Sequence, residues 1–167
     1  MIKGIRVWSV MVCLAFMSVA WAGAAPVQAL EKMTGRLIQQ IKKNQPKFDR
    51  DPDLIYRMIK KTVMPLIAQQ QMGQYVVGRT DWNRASAQQR NEFLKYFSKM
   101  VVSTYAGAIK SYSDQVVRYY PLRGDISKAS IVSVRSLIEP SDGPSVQVSY
   151  QMIRLGKRWK ILDFSVD

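Results

Sequence analysis

Apolar residues recur every three or four positions from residue 27 onward, a spacing that predicts amphipathic helices. The first apolar stripe consists of Val27, Leu30, Thr34, Leu37, Ile38 and Ile41. Asn44-Gln45-Pro46 is expected to end that helix, because proline does not continue a helix. Asp51 followed by Pro52 predicts an N-cap and a first-turn proline for the next one. The second stripe consists of Leu54, Ile55, Met58, Ile59 and Val63.

Two further helical segments follow. Pro65 is expected to break or kink the chain, and a continuation through Met72, Tyr75 and Val76 is expected to stop at Gly78. Ser86 and Gln89 have the spacing of a capping box, which marks the start of the longest helix. Its apolar positions are Phe93, Leu94, Phe97, Met100, Val101, Tyr105, Ala108, Ile109 and Tyr112.

After residue 113 the apolar residues recur at every second position instead of every third or fourth. Residues 115–120 are rich in Val and Tyr, Val132 and Val134 alternate with polar neighbours, and residues 146–153 alternate throughout. A hairpin loop at Gly156 is followed by a last strand over 159–164. Four strands with short connections predict an antiparallel sheet, and the helices that precede them predict an α+β fold.

The amino-terminal segment has the features of a secretory signal peptide. Lys3 and Arg6 precede an apolar run of about 15 residues, shorter than the roughly 20 that span a bilayer, and small residues follow it. We therefore expect a leader over 1–25 and one exported domain over 26–167. Cys13, the sole cysteine, lies in that leader, so the mature domain is expected to contain no thiol.

Charge and composition limit the kinds of catalytic and metal sites that this protein can contain. The chain of 167 residues has 25 Lys and Arg against 12 Asp and Glu, a formal charge of +13, and no histidine. Sites built on His or on Cys with His are therefore excluded, and the scattered carboxylates form no convincing catalytic pair. We predict no enzyme activity, no metal and no cofactor. The basic residues are dispersed and the domain is exported, which argues against nucleic acid and leaves anionic lipid surfaces or acidic proteins as partners.

The apolar stripe of the long helix is expected to face the apolar side of the sheet. Two interpretations fit this pattern: a filled hydrophobic core, or two layers that leave an apolar cleft for a ligand. Periodicity alone does not separate them.

Several segments resemble the MlaC family of periplasmic phospholipid-binding proteins, also called toluene-tolerance proteins. The helical part of the resemblance consists of Val63-Met64-Pro65-Leu66, Met72-Gly73-Gln74-Tyr75-Val76-Val77-Gly78-Arg79, Trp82, Arg84-Ala85-Ser86, Gln89-Arg90, Phe93, Phe97, Tyr105 and Tyr112. The strand part consists of Pro140, Pro144-Ser145-Val146, Val148-Ser149-Tyr150 and Trp159-Lys160-Ile161-Leu162-Asp163. Together they cover nearly all of residues 26–167.

The resemblance implies a carrier with a lipid-tail pocket between the helices and the sheet. Such a carrier shuttles phospholipid through the periplasm, between an outer-membrane lipoprotein–porin complex and an inner-membrane ABC transporter with an MCE-domain subunit. Branched aliphatic, methionine and aromatic side chains suit the wall of that pocket, because lipid tails need no directional bonds. The expected wall residues are Met64, Ile67, Tyr75, Val76, Phe97, Val101, Tyr105, Val132, Val134, Val148 and Tyr150. Trp82 and Arg84 are interpreted as a loop anchor and a helix-start neighbour.

One departure from the family pattern concerns the carboxyl end. Relatives usually continue past the position of Asp163 with a Gly-Val-Ser segment and a further helix, whereas this sequence stops at Asp167. Without that helix two outcomes are open: a more open pocket, or a protein that is unstable or defective. The alternative function is an exported interaction module with a filled core, a truncated relative that carries no lipid.

Overall fold

The computed structural model of the protein describes residues 25–112 and 114–166. The expected signal peptide, with Cys13, lies outside the described residues except for Ala25. In the described part of the chain no helix combines the length and the apolarity that crossing a membrane requires.

Five α-helices precede the strands in the described residues. Two 3-10 turns, Gln45–Lys47 and Met64–Leu66, follow the first and the second helix. The helices are α1 (Ala25–Asn44), α2 (Leu54–Thr62), α3 (Gln69–Val77), α4 (Arg79–Arg84) and α5 (Ala87–Lys110). The order of stripes in the sequence is therefore confirmed, and the short helix α4 is an element that the apolar pattern missed.

Local sequence signals explain most helix boundaries. Ser86 accepts the backbone N–H of Gln89, whose side chain accepts the N–H of Ser86, so the predicted capping box is present. Pro65 lies in the second 3-10 turn, and Gly78 ends α3 with a φ of 89°, a conformation that glycine adopts without strain.

The predicted N-cap at Asp51 is wrong. Helix α2 is preceded by Asp53, which makes no side-chain capping bond. The Asp51 carboxylate instead forms an ion pair with Arg57, the fourth residue of α2. Because the Asp51 carboxylate binds the Arg57 guanidinium, it does not accept the backbone N–H groups at the start of the helix.

The strands form one four-stranded antiparallel sheet in chain order. They are β1 (Val116–Tyr119), β2 (Ile131–Glu139), β3 (Val146–Leu155) and β4 (Arg158–Val166). Val134 pairs with Tyr150, which in turn pairs with Phe164, so these side chains share one face of the sheet. A register shift at Gln151/Met152 bends the β3–β4 pair.

Two apolar clusters hold the domain together. The cluster on the sheet joins α1 and the segment after the second 3-10 turn to the strands; its buried members are Leu30, Ile67, Ile126, Val132, Val134, Met152 and Ile161. The cluster between α1, α2 and α5 has Ile41, Phe48, Ile55, Met58, Ile59 and Val102 as its buried members. Helix α5 therefore packs chiefly on α2 and α3, and α1 covers the sheet.

Candidate functional site

Helix α5 carries an apolar ridge that the protein core leaves partly uncovered. Phe93, Phe97, Val101 and Tyr105 follow one another at intervals of four residues, so they lie along one side of the helix. Val102 is the only buried residue among the 24 of α5, all of which the structure describes. The four residues, called the α5 ridge below, are partly exposed, and Tyr105 retains 40% of its accessible surface.

Aromatic contacts fix the two ends of the α5 ridge. At its amino-terminal end, the rings of Phe93 and Phe97 stack at a centroid distance of 5.5 Å, and Trp82 meets Phe93 edge to face at 6.1 Å. At its carboxyl-terminal end, the ring of Tyr105 lies 5.7 Å from that of Phe164 in β4. The ridge therefore runs from the α4–α5 junction to the sheet.

The expected wall residues of the sheet lie on its inner face. Val132, Val134 and Val148 are buried, the first two within the sheet cluster. Tyr150 is partly buried and its ring lies 6.2 Å from that of Tyr119. These residues provide an apolar floor, most of which is already in contact with the protein's own side chains.

A hydrogen bond between two hydroxyl groups also joins α1 to the sheet at this apolar floor. The hydroxyl groups of Thr34 and Tyr119 are hydrogen bonded at 2.6 Å. Burial raises the pKa of Tyr119 well above its ordinary value, and it raises the pKa of Tyr150 in the same way. Both tyrosines therefore remain neutral hydrogen-bonding groups at physiological pH.

The remaining expected wall residues are divided between the core and the surface. Ile67 is buried and pairs with Ile161 in an isolated parallel bridge, beside an Ala68 N–H that donates to the Ile161 carbonyl at 2.8 Å. Met64 packs against the sheet cluster. Tyr75 and Val76, at the end of α3, are 70% and 51% exposed.

The structure therefore brings together some of the predicted residues and separates others. Tyr105 reaches the sheet through Phe164, and Phe97 and Val101 share its ridge. Tyr75 and Val76 lie at the protein surface instead. The apolar pocket between helices and sheet stays a prediction, and so does the role of its wall residues.

Surface cavities lie among the helices in the described residues. One, of about 390 Å³, is lined by Trp82, Arg84, Arg90 and Phe93 among others. Another, of about 440 Å³, lies between α2, the second 3-10 turn, α3 and α5, and Met64 is the expected wall residue that lines it. Neither lining includes a strand residue.

Sequence reasoning did not select three residues that the geometry makes prominent. Phe164 was recognised only as part of the last strand, although its position on the same face as Tyr150 follows from the hairpin register. Lys60 and Lys95 line the larger cavity, yet in the sequence they belong to a dispersed set of basic residues. Their convergence depends on the packing of α2 against α5, which no local pattern gives.

The fold and the site define an α+β protein whose helices cover one antiparallel sheet and whose longest helix keeps an apolar ridge partly uncovered. The MlaC protein family model matches residues 31–167. The chain therefore belongs to the MlaC family, and the predicted resemblance is confirmed.

Two relatives are similar along most of the chain. The intermembrane phospholipid transport system binding protein MlaC of Haemophilus influenzae is 24% identical over 147 residues, which cover 86% of this chain and 68% of that protein. The toluene tolerance protein ttg2D of Pseudomonas putida is 20% identical over 167 residues, which cover all of this chain and 77% of that protein.

A solved structure has the same fold. The phospholipid-binding protein of Ralstonia solanacearum, determined in complex with a phospholipid, superposes with a TM-score of 0.68 at 22% identity. The match covers 87% of this chain and 78% of that one. The predicted α+β arrangement of helices on a four-stranded antiparallel sheet is thereby confirmed.

Proposed function

We propose that this protein carries phospholipid through the periplasm. Membership of the MlaC family over residues 31–167 is the observation that carries this proposal. The names of its relatives describe phospholipid binding and intermembrane phospholipid transport, and the Ralstonia protein is described with a phospholipid bound. In this proposal the acyl tails lie against the α5 ridge, and the head group faces water.

The energetics of a lipid tail explain why a carrier needs such a ridge. A diacyl phospholipid has about 28 methylenes, and exposing each to water costs about 0.8 kcal/mol, so unaided desorption costs on the order of 20 kcal/mol. A carrier replaces most of this with apolar contacts. The partly exposed rings of Phe93, Phe97 and Tyr105 offer such contacts without first breaking the core of the protein.

Contacts between α5 and the sheet suggest where the tails enter. Tyr105 and Phe164 meet at one end of the α5 ridge, while Val148 and Tyr150 lie on the same sheet face as Phe164. Separation of these two rings would join the ridge to the sheet face as one apolar surface. The expected wall residues Phe97, Val101, Tyr105, Val148 and Tyr150 all border this path.

The proposed partners are those of the family carriers. The protein would exchange lipid with an outer-membrane lipoprotein–porin complex and with an inner-membrane ABC transporter that has an MCE-domain subunit. The formal charge is +13 for the whole chain and +11 without Lys3 and Arg6 of the expected leader. This excess favours approach to anionic membranes and to acidic partner surfaces. Exchange at each membrane needs no fuel from the carrier if the bound and membrane states of the lipid are close in free energy.

Lipid content of the exported protein tests the proposal. The full-length chain is expressed in a Gram-negative host, purified from the periplasm without detergent, and measured by native mass spectrometry and lipid extraction. The expected result is about one phospholipid per chain and transfer of a fluorescent phospholipid between vesicles. A lipid-free, stable protein that transfers none would instead support the interaction module with a filled core.

A further inference from the structure

The larger of the two cavities lies on the helical side of the molecule. Helices α2 and α5 form its walls, and the second 3-10 turn and the start of α3 close it. Its volume of about 440 Å³ is within the range of sites that bind small organic ligands. It is therefore large enough for more than a bare inorganic ion.

The polar lining of the cavity is rich in cations and amides and contains no carboxylate. The lining includes Lys60 of α2, Lys95 of α5, Gln70 and Asn91. The Lys95 ammonium also lies 5.6 Å from the centre of the exposed Tyr96 ring, which is outside the lining. None of the ion pairs among the described residues includes Lys60 or Lys95. Two lysines from different helices thus border one cavity, and neither forms an ion pair with a carboxylate among the described residues.

Neighbouring groups strengthen the positive potential of the cavity. Lys99, one turn after Lys95, lies 6.0 Å from the ring of Tyr56, which is itself part of the lining. Helix α3 begins beside the cavity at Gln69 and has no side-chain cap, so the partial positive charge of its first turn remains uncompensated. These charges add to those of Lys60 and Lys95.

The rest of the lining consists of the polar residues Gln69 and Ser98 and of an apolar part. Met64, Leu94 and Val102 form this part, and Val102 also belongs to the helical core cluster. An anion that carries a short organic group therefore matches the cavity better than a bare anion does. A phosphate ester combines these two properties.

We propose that the cavity between Lys60 and Lys95 binds a phosphate ester, with both ammonium groups on the phosphate and the organic part against Met64. The phosphate belongs either to a soluble ester or to the head group of a phospholipid, since the lining recognises the same chemistry in both. The inference does not rest on lipid carriage, because the cavity is separate from the α5 ridge and needs no acyl tail.

Isothermal titration calorimetry with three probes tests this site. The probes are inorganic phosphate, sn-glycerol 3-phosphate, and dihexanoylphosphatidylglycerol below its critical micelle concentration. Lys60→Gln and Lys95→Gln are each expected to weaken binding of sn-glycerol 3-phosphate about fivefold, the effect of losing one exposed ion pair of about 1 kcal/mol. The double variant is expected to weaken it more than either, and Lys95→Arg is expected to restore most of the binding.

Lys43→Gln is the matched control, because Lys43 is an exposed lysine in the last turn of α1 and lines neither cavity. Lysine-dependent binding of sn-glycerol 3-phosphate identifies a soluble-ester site. Lysine-dependent binding of the short-chain lipid alone identifies a head-group site. Wild-type protein that binds none of the probes, a double variant that binds them like wild type, or an equal loss in Lys43→Gln overturns the proposal.

Lipid content measured in the same variants separates this inference from the proposed function. If the double variant loses the ester but still purifies with phospholipid, both proposals stand and the cavity is independent of the tails. If wild-type protein contains no lipid but binds sn-glycerol 3-phosphate through the two lysines, the carrier function fails and the phosphate site stands.

Discussion

Tyr105 in α5 and Phe164 in β4 join the helical layer to the sheet. Their ring centroids are 5.7 Å apart and their planes are inclined by 58°. Tyr105 keeps 40% of its surface exposed, so the contact closes one end of the α5 ridge without sealing it. Because tilted aromatic pairs contribute only about 0.5–1.5 kcal/mol beyond burial, this closure is weak enough to open and close.

Removal of the Tyr105 ring is expected to weaken lipid binding. In the proposed binding mode, Tyr105→Ala removes about half of a buried aromatic surface from contact with the tails, which corresponds to about 1–2 kcal/mol or roughly tenfold in affinity. Binding of a fluorescent phospholipid to the delipidated protein measures the loss.

Tyr96→Ala is the matched control for that variant. Tyr96 lies nine residues earlier on the same helix, which places it on the opposite side, and it is 61% exposed. Its removal is expected to change lipid affinity by less than about 0.5 kcal/mol. Equal losses in the two variants would show that the α5 ridge is not the lipid surface.

Gly73→Ala is expected to destabilise the protein. A methyl group at this position in α3 would lie 2.6 Å from Cη2 of Trp82 and 2.8 Å from Cδ2 of Leu94, both inside contact distance. The resulting overpacking costs about 1–3 kcal/mol, which exceeds the helix-propensity gain of about 1 kcal/mol. Urea unfolding is the measurement.

Gly107→Ala in α5 measures the contribution of helix propensity alone to the free energy of unfolding. Apart from the adjacent residues and the backbone of its own helix, no atom lies within 4 Å of a Cβ built at Gly107, so the substitution gains helix propensity without a clash. It is expected to raise the free energy of unfolding by about 0.5–1 kcal/mol. A Gly73→Ala protein as stable as Gly107→Ala would show that Trp82 and Leu94 move aside easily.

Signals that depend on a few neighbouring residues were predictable from the sequence. The Ser86–Gln89 capping box requires only spacing, and the break at Pro65 follows from the ring of proline. The strand order also followed, because short connections between strands produce antiparallel neighbours.

The packing of the helices on the sheet was harder to predict from the sequence. The stripe of α5 was expected to face the sheet, yet Leu30 of α1 and Ile67 fill most of that face. Amphipathic periodicity tells which side of a helix is apolar and does not tell which element covers it. Tyr75 and Val76, apolar at helical spacing, are 70% and 51% exposed, and their expected place at a pocket wall stays a prediction.

Stability is expected to fall at alkaline pH because of Tyr119. Burial raises its pKa above the ordinary value of 10.0, so the folded state holds the phenolic proton more tightly than the unfolded state. The contribution is therefore complete below about pH 10 and is lost as the pH rises toward the folded-state pKa, by at most about 1.4 kcal/mol per pH unit.

Tyr119→Phe tests that dependence. The variant leaves Thr34 without its 2.6 Å hydrogen bond, so it is expected to lose about 1 kcal/mol at pH 7 and to show a shallower alkaline decline. Tyr120→Phe, an exposed neighbour, is the control. Urea unfolding between pH 7 and 11 measures both, and parallel declines in the three proteins would contradict the assignment to Tyr119.

Arg154→Lys is expected to loosen the connection between β1 and β2. The guanidinium of Arg154 donates to the carbonyls of Ser127 and Ile126 at 2.6 and 2.5 Å, and it lies 4.9 Å from the ring of Trp159. Lysine keeps the charge but lacks the planar fork that makes both bonds while stacking. Because Ile126 is part of the sheet cluster, the loss is expected to be about 1–2 kcal/mol.

Arg135→Lys provides the comparison, because Arg135 also lies over an aromatic ring, that of Tyr120 at 5.8 Å. Among the described residues, its side chain donates no hydrogen bond to a loop carbonyl like those that Arg154 makes. Its expected cost is below about 0.5 kcal/mol. Hydrogen exchange at the Ala129 amide, which donates to the Ile126 carbonyl at 3.1 Å, reports the loop directly. Faster exchange in Arg154→Lys but not in Arg135→Lys shows that the hydrogen bonds from Arg154 to the loop carbonyls hold the loop. Equal acceleration in both variants would contradict this and attribute the effect to the cation–π contacts.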